Sequence, residues 1–177
     1  MQRYILTGAP GSGKTTLIRQ LEILGHRVVE EAATDIIALE QAKGVKEPWL
    51  ALDFKDKVAL LQRQRQEIVD VNRSKVVFFD RSPVDTYVLC RYFQVQPTQV
   101  LLEEIARITR ESIYCKKVFF IMNMGFCQQT EARCVSLEEA LYLEQLHDEV
   151  YKALGYELIK VTAGSIQNRI KAILEHI

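Results

Sequence analysis

Short apolar runs alternate along the chain with longer stretches whose hydrophobic positions recur at helical spacing. Tyr4–Thr7, Val28–Val29, Val76–Phe79, Val118–Met122 and Leu158–Val161 are dominated by β-branched, aliphatic and aromatic residues, which predicts buried strands. The segment from about Ala51 to Asn72 puts Phe54, Val58, Leu61 and Ile68 on one face with Lys and Arg on the other, which predicts a helix. Ser136 stands three residues before Glu139, a capping-box arrangement that opens another helix. Leu141, Val150 and Leu154 continue its apolar stripe, and Gly155 suits a left-handed terminator. Pro97 suits the first turn of a helix through Leu101, Ile105 and Ile108. Strand–helix alternation of this kind predicts an α/β fold, a parallel sheet with helices on both faces joined by right-handed crossovers. No repeat, low-complexity run or linker interrupts the pattern, so a single domain over residues 1–177 is expected.

Charge refines this picture. The 23 basic and 23 acidic side chains cancel, which argues against a chain-wide polybasic surface for nucleic acid or anionic lipid. The neutral total is a sum of separated blocks. Met1–Arg27 carries four basic residues and one acid, Glu30–Asp56 seven acids and three lysines, and Val135–Glu157 six acids against Lys152. Such a division sets a basic start beside an acidic region, although solvated helix faces would segregate charge similarly. Cys90, Cys115, Cys127 and Cys134 lack the close spacing of a zinc site, and His26, His147 and His176 stand far from them in sequence. The opening MQRYILTG has too short an apolar run for a signal peptide, and no run is long enough to span a bilayer. A reducing, cytoplasmic compartment without membrane association is the expectation.

The chemistry enters directly after the first predicted strand. Gly8-Ala9-Pro10-Gly11-Ser12-Gly13-Lys14-Thr15-Thr16 fits G-x-x-x-x-G-K-[ST] in the required strand–loop–helix setting. Its glycines admit backbone geometry closed to other residues, so successive N–H groups can face an anion at a helix start. Lys14 would reach the β- and γ-phosphates and the Thr15 hydroxyl would hold Mg²⁺. Val76-Val77-Phe78-Phe79-Asp80 is an apolar strand ending in a carboxylate. Asp80 either acts on Mg²⁺, directly or through water, or caps the helix that follows. Arg81 either holds a phosphate bidentately or pairs with a carboxylate such as Asp85. Pro83 fits the first position of the next helix.

These segments resemble P-loop small-molecule kinases, among them the nucleoside and deoxynucleoside kinases, which carry a similar acid-Arg-Ser motif after an apolar strand. Over nearly its full length the chain looks most like a compact group of AAA-labelled small ATPases that includes the ribosylnicotinamide kinase domain. The resemblance is carried by Glu31 after the second strand, Asp80-Arg81, Arg133 ahead of Ser136–Ala140, and Gly155-Tyr156. It implies a three-layer P-loop NTPase with a five-stranded parallel sheet in the kinase-like order 2-3-1-4-5. It also implies ATP, with GTP left open, and Mg²⁺. The implied partners are a nucleotide and a small-molecule acceptor, with a homodimer open and nucleic acid not expected. The chain departs from the group at Thr130, where members often carry Asp, so no role of that Asp is carried over.

On this likeness Glu31, with Glu30 as second choice, takes the proton of an acceptor hydroxyl, unless both are solvated strand-end charges. Residues 124–135 form a lid whose cation is Arg133, and Thr162-Ala163-Gly164 line the adenine by backbone contacts. Trp49, Phe54, Tyr87 and Arg91 either flank the acceptor or, for the aromatics, belong to the core. Lys46–Trp49 suits a loop over the substrate. The expected activity is transfer of the ATP γ-phosphate to a small hydroxyl-bearing molecule, a nucleoside or nicotinamide-riboside-like acceptor. The alternative is a regulatory nucleotide-binding ATPase or GTPase acting through protein partners. Met122-Asn123-Met124-Gly125 lacks the Lys and Asp of a guanine-specific motif, which counts against a G-protein.

Overall fold

Five strands lie side by side, all parallel, in the order β2-β3-β1-β4-β5 in the computed structural model, which describes residues 1–69, 75–124 and 136–177. They are β1 (Gln2–Thr7), β2 (Arg27–Val29), β3 (Val76–Asp80), β4 (Lys117–Ile121) and β5 (Glu157–Val161). The helices are α1 (Lys14–Ile23), α2 (Ala32–Ala42), α3 (Phe54–Ile68), α4 (Pro83–Tyr92), α5 (Gln99–Arg110), α6 (Leu137–Ala153) and α7 (Ile166–Leu174), with a 3₁₀ turn at Pro48–Leu50. This is the strand order that the resemblance to P-loop kinases implies.

Period-two alternation divides the strand side chains between two cores. On one face Ile5, Val77, Phe79 and Val118 meet Val84 and Val88 of α4 and Leu143, Val150 and Tyr151 of α6. On the other, Tyr4, Leu6, Phe78, Phe119 and Ile121 meet Leu17, Ile18 and Leu21 of α1 and Ile170 and Ile173 of α7. Both faces being covered explains why the central strands read as nearly continuous apolar runs. The C-terminal ends of β1, β2, β3 and β4 are thereby brought to one edge, where open α/β sheets bind ligands.

Helix starts match local chemistry. Ser82 caps α4 with Pro83 in its first turn, and Asp85 completes a capping box; Ser136 and Glu139 do the same for α6. Gly155 closes α6 at φ +78°. Three expectations are corrected. Pro97 lies outside α5, which is capped instead by the Thr98 hydroxyl accepting from Leu101 N–H. On α3, Ile68 is exposed, while Val58, Ala59, Gln62 and Gln66 are buried. Gln66 faces inward because its amide is used in hydrogen bonds to other elements, and Asn72 lies outside the described residues. On α6, Leu141 is exposed and the inward face carries polar Glu144 and His147 between Leu143, Val150 and Tyr151.

Candidate functional site

The loop from Gly8 to Gly13 leaves β1 under two steric demands. A Cβ on Gly8 would meet the carbonyl oxygen of Ile121 at 2.3 Å, and φ there is +136°. Gly13, at φ +88°, precedes α1 and supplies no side-chain cap, so the first N–H groups of the helix are left for another acceptor. Ser12 and Lys14 are buried, Ala9 closes the loop against the core, Pro10 is half-buried, and Gly11, Thr15 and Thr16 are exposed. The Lys14 ammonium donates to Gly8 O and Ala9 O at 2.8 Å each and to Ser12 Oγ at 3.3 Å. Burial, with the positive Arg81 nearby, pulls Lys14 down to about 7 despite the neighbouring carboxylates.

β3 delivers Asp80 and Arg81 beside this loop, since Leu6 pairs with Asp80 in register and the Arg81 N–H donates to Leu6 O. Asp80 is buried, and its Oδ1 has no hydrogen-bond partner among the described residues. Burial raises its carboxyl to about 6, against the opposing pull of Arg81 and Lys14. The helix cap expected as an alternative role for Asp80 falls to Ser82. Arg81 adopts φ +71°, a left-handed conformation that costs a non-glycine residue roughly 1–2 kcal/mol. That turn aims its guanidinium at two carboxylates, with Nε 2.6 Å from Glu31 Oε1 and Nη1 3.3 Å from Asp85 Oδ1.

Glu31, the N-cap residue of α2, therefore faces the loop side, whereas Glu30 turns outward to pair with Arg19 of α1. Glu31 also accepts from the Thr34 hydroxyl at 2.8 Å. Its burial opposes ionisation, but Arg81, Thr34 and Lys14 outweigh this and hold the carboxyl below its ordinary range. Asp85 sits deeper. It accepts from Thr7 Oγ1 at 2.6 Å, Tyr151 OH at 2.7 Å and Ser82 N–H at 2.8 Å, and His147 Nε2 stands 3.4 Å away. Burial works against the Asp85 charge, yet His147, Arg81 and Thr7 keep the group well below the usual carboxylate range. The Asp85–His147–Tyr151 network escaped the sequence reading. The Ser82-x-x-Asp85 spacing and the polar positions on the buried face of α6 were its only local traces.

The other expected residues separate from this centre or stay apart from it. Arg91 approaches Glu149 of α6 at 3.9 Å instead of turning to Glu31. Phe54 packs with Ala32, Ile36 and Val58, Tyr87 lies against the α4–α5 core, and Trp49 is exposed. Thr162, Ala163 and Gly164 form an exposed stretch between β5 and α7. Arg133, Thr130, Cys127 and Cys134 lie outside the described residues, while Cys90 and Cys115 are free thiols. No helix among the described residues is long and apolar enough to cross a membrane.

Solved structures share the fold. NadR protein in complex with NAD and AMP-PNP superposes over 98% of this chain and 49% of its own, with TM-score 0.69 and 18% identity. This chain thus spans about half the length of that protein. Deoxyadenosine kinase from M. mycoides with bound dATP covers 99% and 98% of the two chains, with TM-score 0.62 and 15% identity. Shikimate kinase from Acinetobacter baumannii in complex with shikimate covers 99% and 92%, with TM-score 0.61 and 15% identity. At such identities the likeness shows the fold, that of P-loop kinases, and not an acceptor. No curated protein sequence matches. The family, by contrast, is established, because the AAA domain model matches residues 3–169 and the chain belongs to the AAA domain family.

Proposed function

We propose that this protein is a kinase that transfers the γ-phosphate of ATP to a hydroxyl of a small molecule. The observation that carries the proposal is the convergence of Lys14, Asp80, Arg81 and an ionised Glu31 at one sheet edge. Phosphoryl transfer demands positioned charge more than covalent help, and these groups supply it. Lys14 leaves the loop carbonyls to neutralise the β- and γ-phosphates, whose charge in turn favours its ammonium form. Glu31 accepts the proton of the acceptor hydroxyl as its oxygen attacks the γ-phosphorus. The bond from that phosphorus to the bridging oxygen breaks, and ADP leaves with the electron pair. Arg81, held by Asp85 on one side, orients Glu31 on the other and stabilises the migrating phosphoryl group.

The residues also fit a divalent cation. An unpartnered buried carboxylate oxygen on Asp80 and the exposed Thr15 hydroxyl are the hard oxygen donors that Mg²⁺ takes alongside phosphate oxygens. When bound, Mg²⁺ neutralises phosphate charge at the reacting end of the nucleotide. Arg133 is proposed as a further cation on the phosphates. A nucleoside or nicotinamide-riboside-like acceptor is proposed because NadR in complex with NR and a deoxyadenosine kinase share the fold.

The test is ATP consumption and product mass measured against a panel of nucleosides, nicotinamide riboside and vitamin-like alcohols. Stimulation by one class, with mass gain of one phosphate, is expected. Uniform failure of acceptors to stimulate turnover would instead support a regulatory ATPase or GTPase module.

A further inference from the structure

One peptide unit just beyond β4 is gripped from both helical layers by opposite charges. From the α1–α7 side, Arg169 Nη2 donates to Met122 O at 3.0 Å. From the α6 side, Glu144 Oε1 accepts the N–H of Asn123. Met122 C=O and Asn123 N–H are the two ends of a single trans peptide and point in opposite directions. The cation therefore meets the negative end of the peptide dipole and the anion its positive end, so both favour the same orientation.

Arg169 extends this grip to the phosphate loop. Its Nη1 donates to Ser12 O at 2.8 Å, and a Cβ on Gly13 would meet the same nitrogen at 3.0 Å. With the Ser12 carbonyl drawn toward Arg169, the Gly13 N–H of that peptide must point away from it. Apolar packing alone does not account for these side chains. Arg169 is buried, and among the described residues it has no carboxylate partner and its Nε no hydrogen-bond partner. Burying such a cation costs several kcal/mol on general grounds. Glu144 is likewise buried, and burial pushes its carboxyl upward.

We propose that Arg169 and Glu144 are positioning residues that lock the phosphate loop. The pair holds the Met122–Asn123 peptide, and Arg169 uses that anchor to present the Gly13 N–H to the nucleotide phosphates. The inference rests on the reading of the loop as a nucleotide site.

Calorimetric titration of the full chain with Mg-ATP and with inorganic tripolyphosphate tests it. Arg169→Met should weaken both ligands by a common factor of roughly ten to a hundred, the worth of a charged hydrogen bond. Binding within about twofold of wild type, or a loss for ATP alone, overturns the proposal. Glu144→Leu gives an independent test of sign. It removes a negative charge acting on Lys14, which by field alone would tighten a polyanion. Loop locking predicts the opposite, a loss of roughly threefold or more, with binding restored by Glu144→Gln, which keeps an acceptor for Asn123. Tighter or unchanged binding in Glu144→Leu overturns the proposal even if Arg169→Met fails to fold. Failure of the wild type to bind either ligand overturns the nucleotide reading and this inference together. Binding by the wild type with indifferent variants overturns the inference alone.

Discussion

Two buried polar clusters sit at opposite ends of the same sheet and differ in how completely they are paired. At the N-terminal edge, Gln66 Nε2 donates to Tyr114 OH at 2.6 Å, and Arg107 Nη2 reaches both Gln66 Oε1 and Glu104 Oε1. Arg107 Nε binds the second Glu104 oxygen at 2.8 Å, and Arg3 donates to the Gln66 carbonyl. None of these side chains has a buried polar atom lacking a partner among the described residues. At the C-terminal edge, by contrast, Asp80 Oδ1 and Arg169 Nε have no hydrogen-bond partner among the described residues, His147 Nε2 comes no nearer than 3.4 Å to Asp85 Oδ1, and Arg81 holds a strained backbone. A fully paired network lowers the energy of one fold. Unpaired groups and strain gathered beside a glycine loop are sustained against that tendency, in keeping with the site proposed at that edge.

Substitutions can break this contrast. The largest effect is expected from Lys14→Ala, which should abolish turnover and weaken ATP at least roughly a hundredfold, because it removes the cation that holds the phosphates. Retained ATP affinity in calorimetry would dissociate the loop from nucleotide binding. Next comes Glu31→Gln, which keeps the size of the side chain but not the base. Phosphoryl transfer should fall by roughly 10²–10⁴ while ATP affinity stays within about twofold. Unchanged transfer in a steady-state assay would remove the main support for an acceptor kinase.

The paired edge should behave in the opposite way. Tyr114→Phe strands the Gln66 amide and should lower stability by about 1–3 kcal/mol, leaving ATP binding untouched. Parallel urea denaturation and ligand titration would detect any crossover between the two edges. The smallest effect concerns Asp80 and has a defined sign. Its carboxyl is raised to about 6 from an unfolded value near 3.8, so the folded state holds a proton that the unfolded state releases between those values. Stability of the ligand-free protein should therefore fall as pH rises through that window, with the penalty complete above about pH 6. Asp80→Asn should flatten that slope and stabilise the protein at pH 7 by at most about 3 kcal/mol while losing Mg²⁺ dependence. A melting-temperature profile in chelator reads the slope directly, and a variant less stable than wild type at pH 7 would contradict it.

Much of the architecture was legible because it depends on neighbours in sequence. Glycine spacing, Pro83 at a helix start, the Ser136 cap and the apolar strand runs each act within a few residues. Their readings therefore survive without knowledge of the partner surface. The side chains misplaced by pattern are those whose surroundings come from afar. Ile68 and Leu141 fit a helical stripe yet face outward, while Gln66, Glu144 and His147 interrupt a stripe and face inward. Hydrophobic periodicity locates a helix, but polar residues enter its buried face when a distant partner satisfies them. Arg169 had no local signature at all, since its partners, Ser12 and Met122, are brought to it only by the crossing of β1, β4 and α7.

Sequence by itself determined the glycine-rich loop after β1, the strand–helix alternation and the presence of acids after β2 and β3, because short-range sterics and hydrogen bonding dictate those features. Tertiary structure decided which acid faces the site, giving Glu31 to Arg81 and Glu30 to Arg19. It also decided that Arg81 would hold two carboxylates, and that opposite charges from separate layers would grip one peptide beside the loop. Those choices depend on directions in space, which are set only when the sheet has ordered its strands and the helices have packed on both faces.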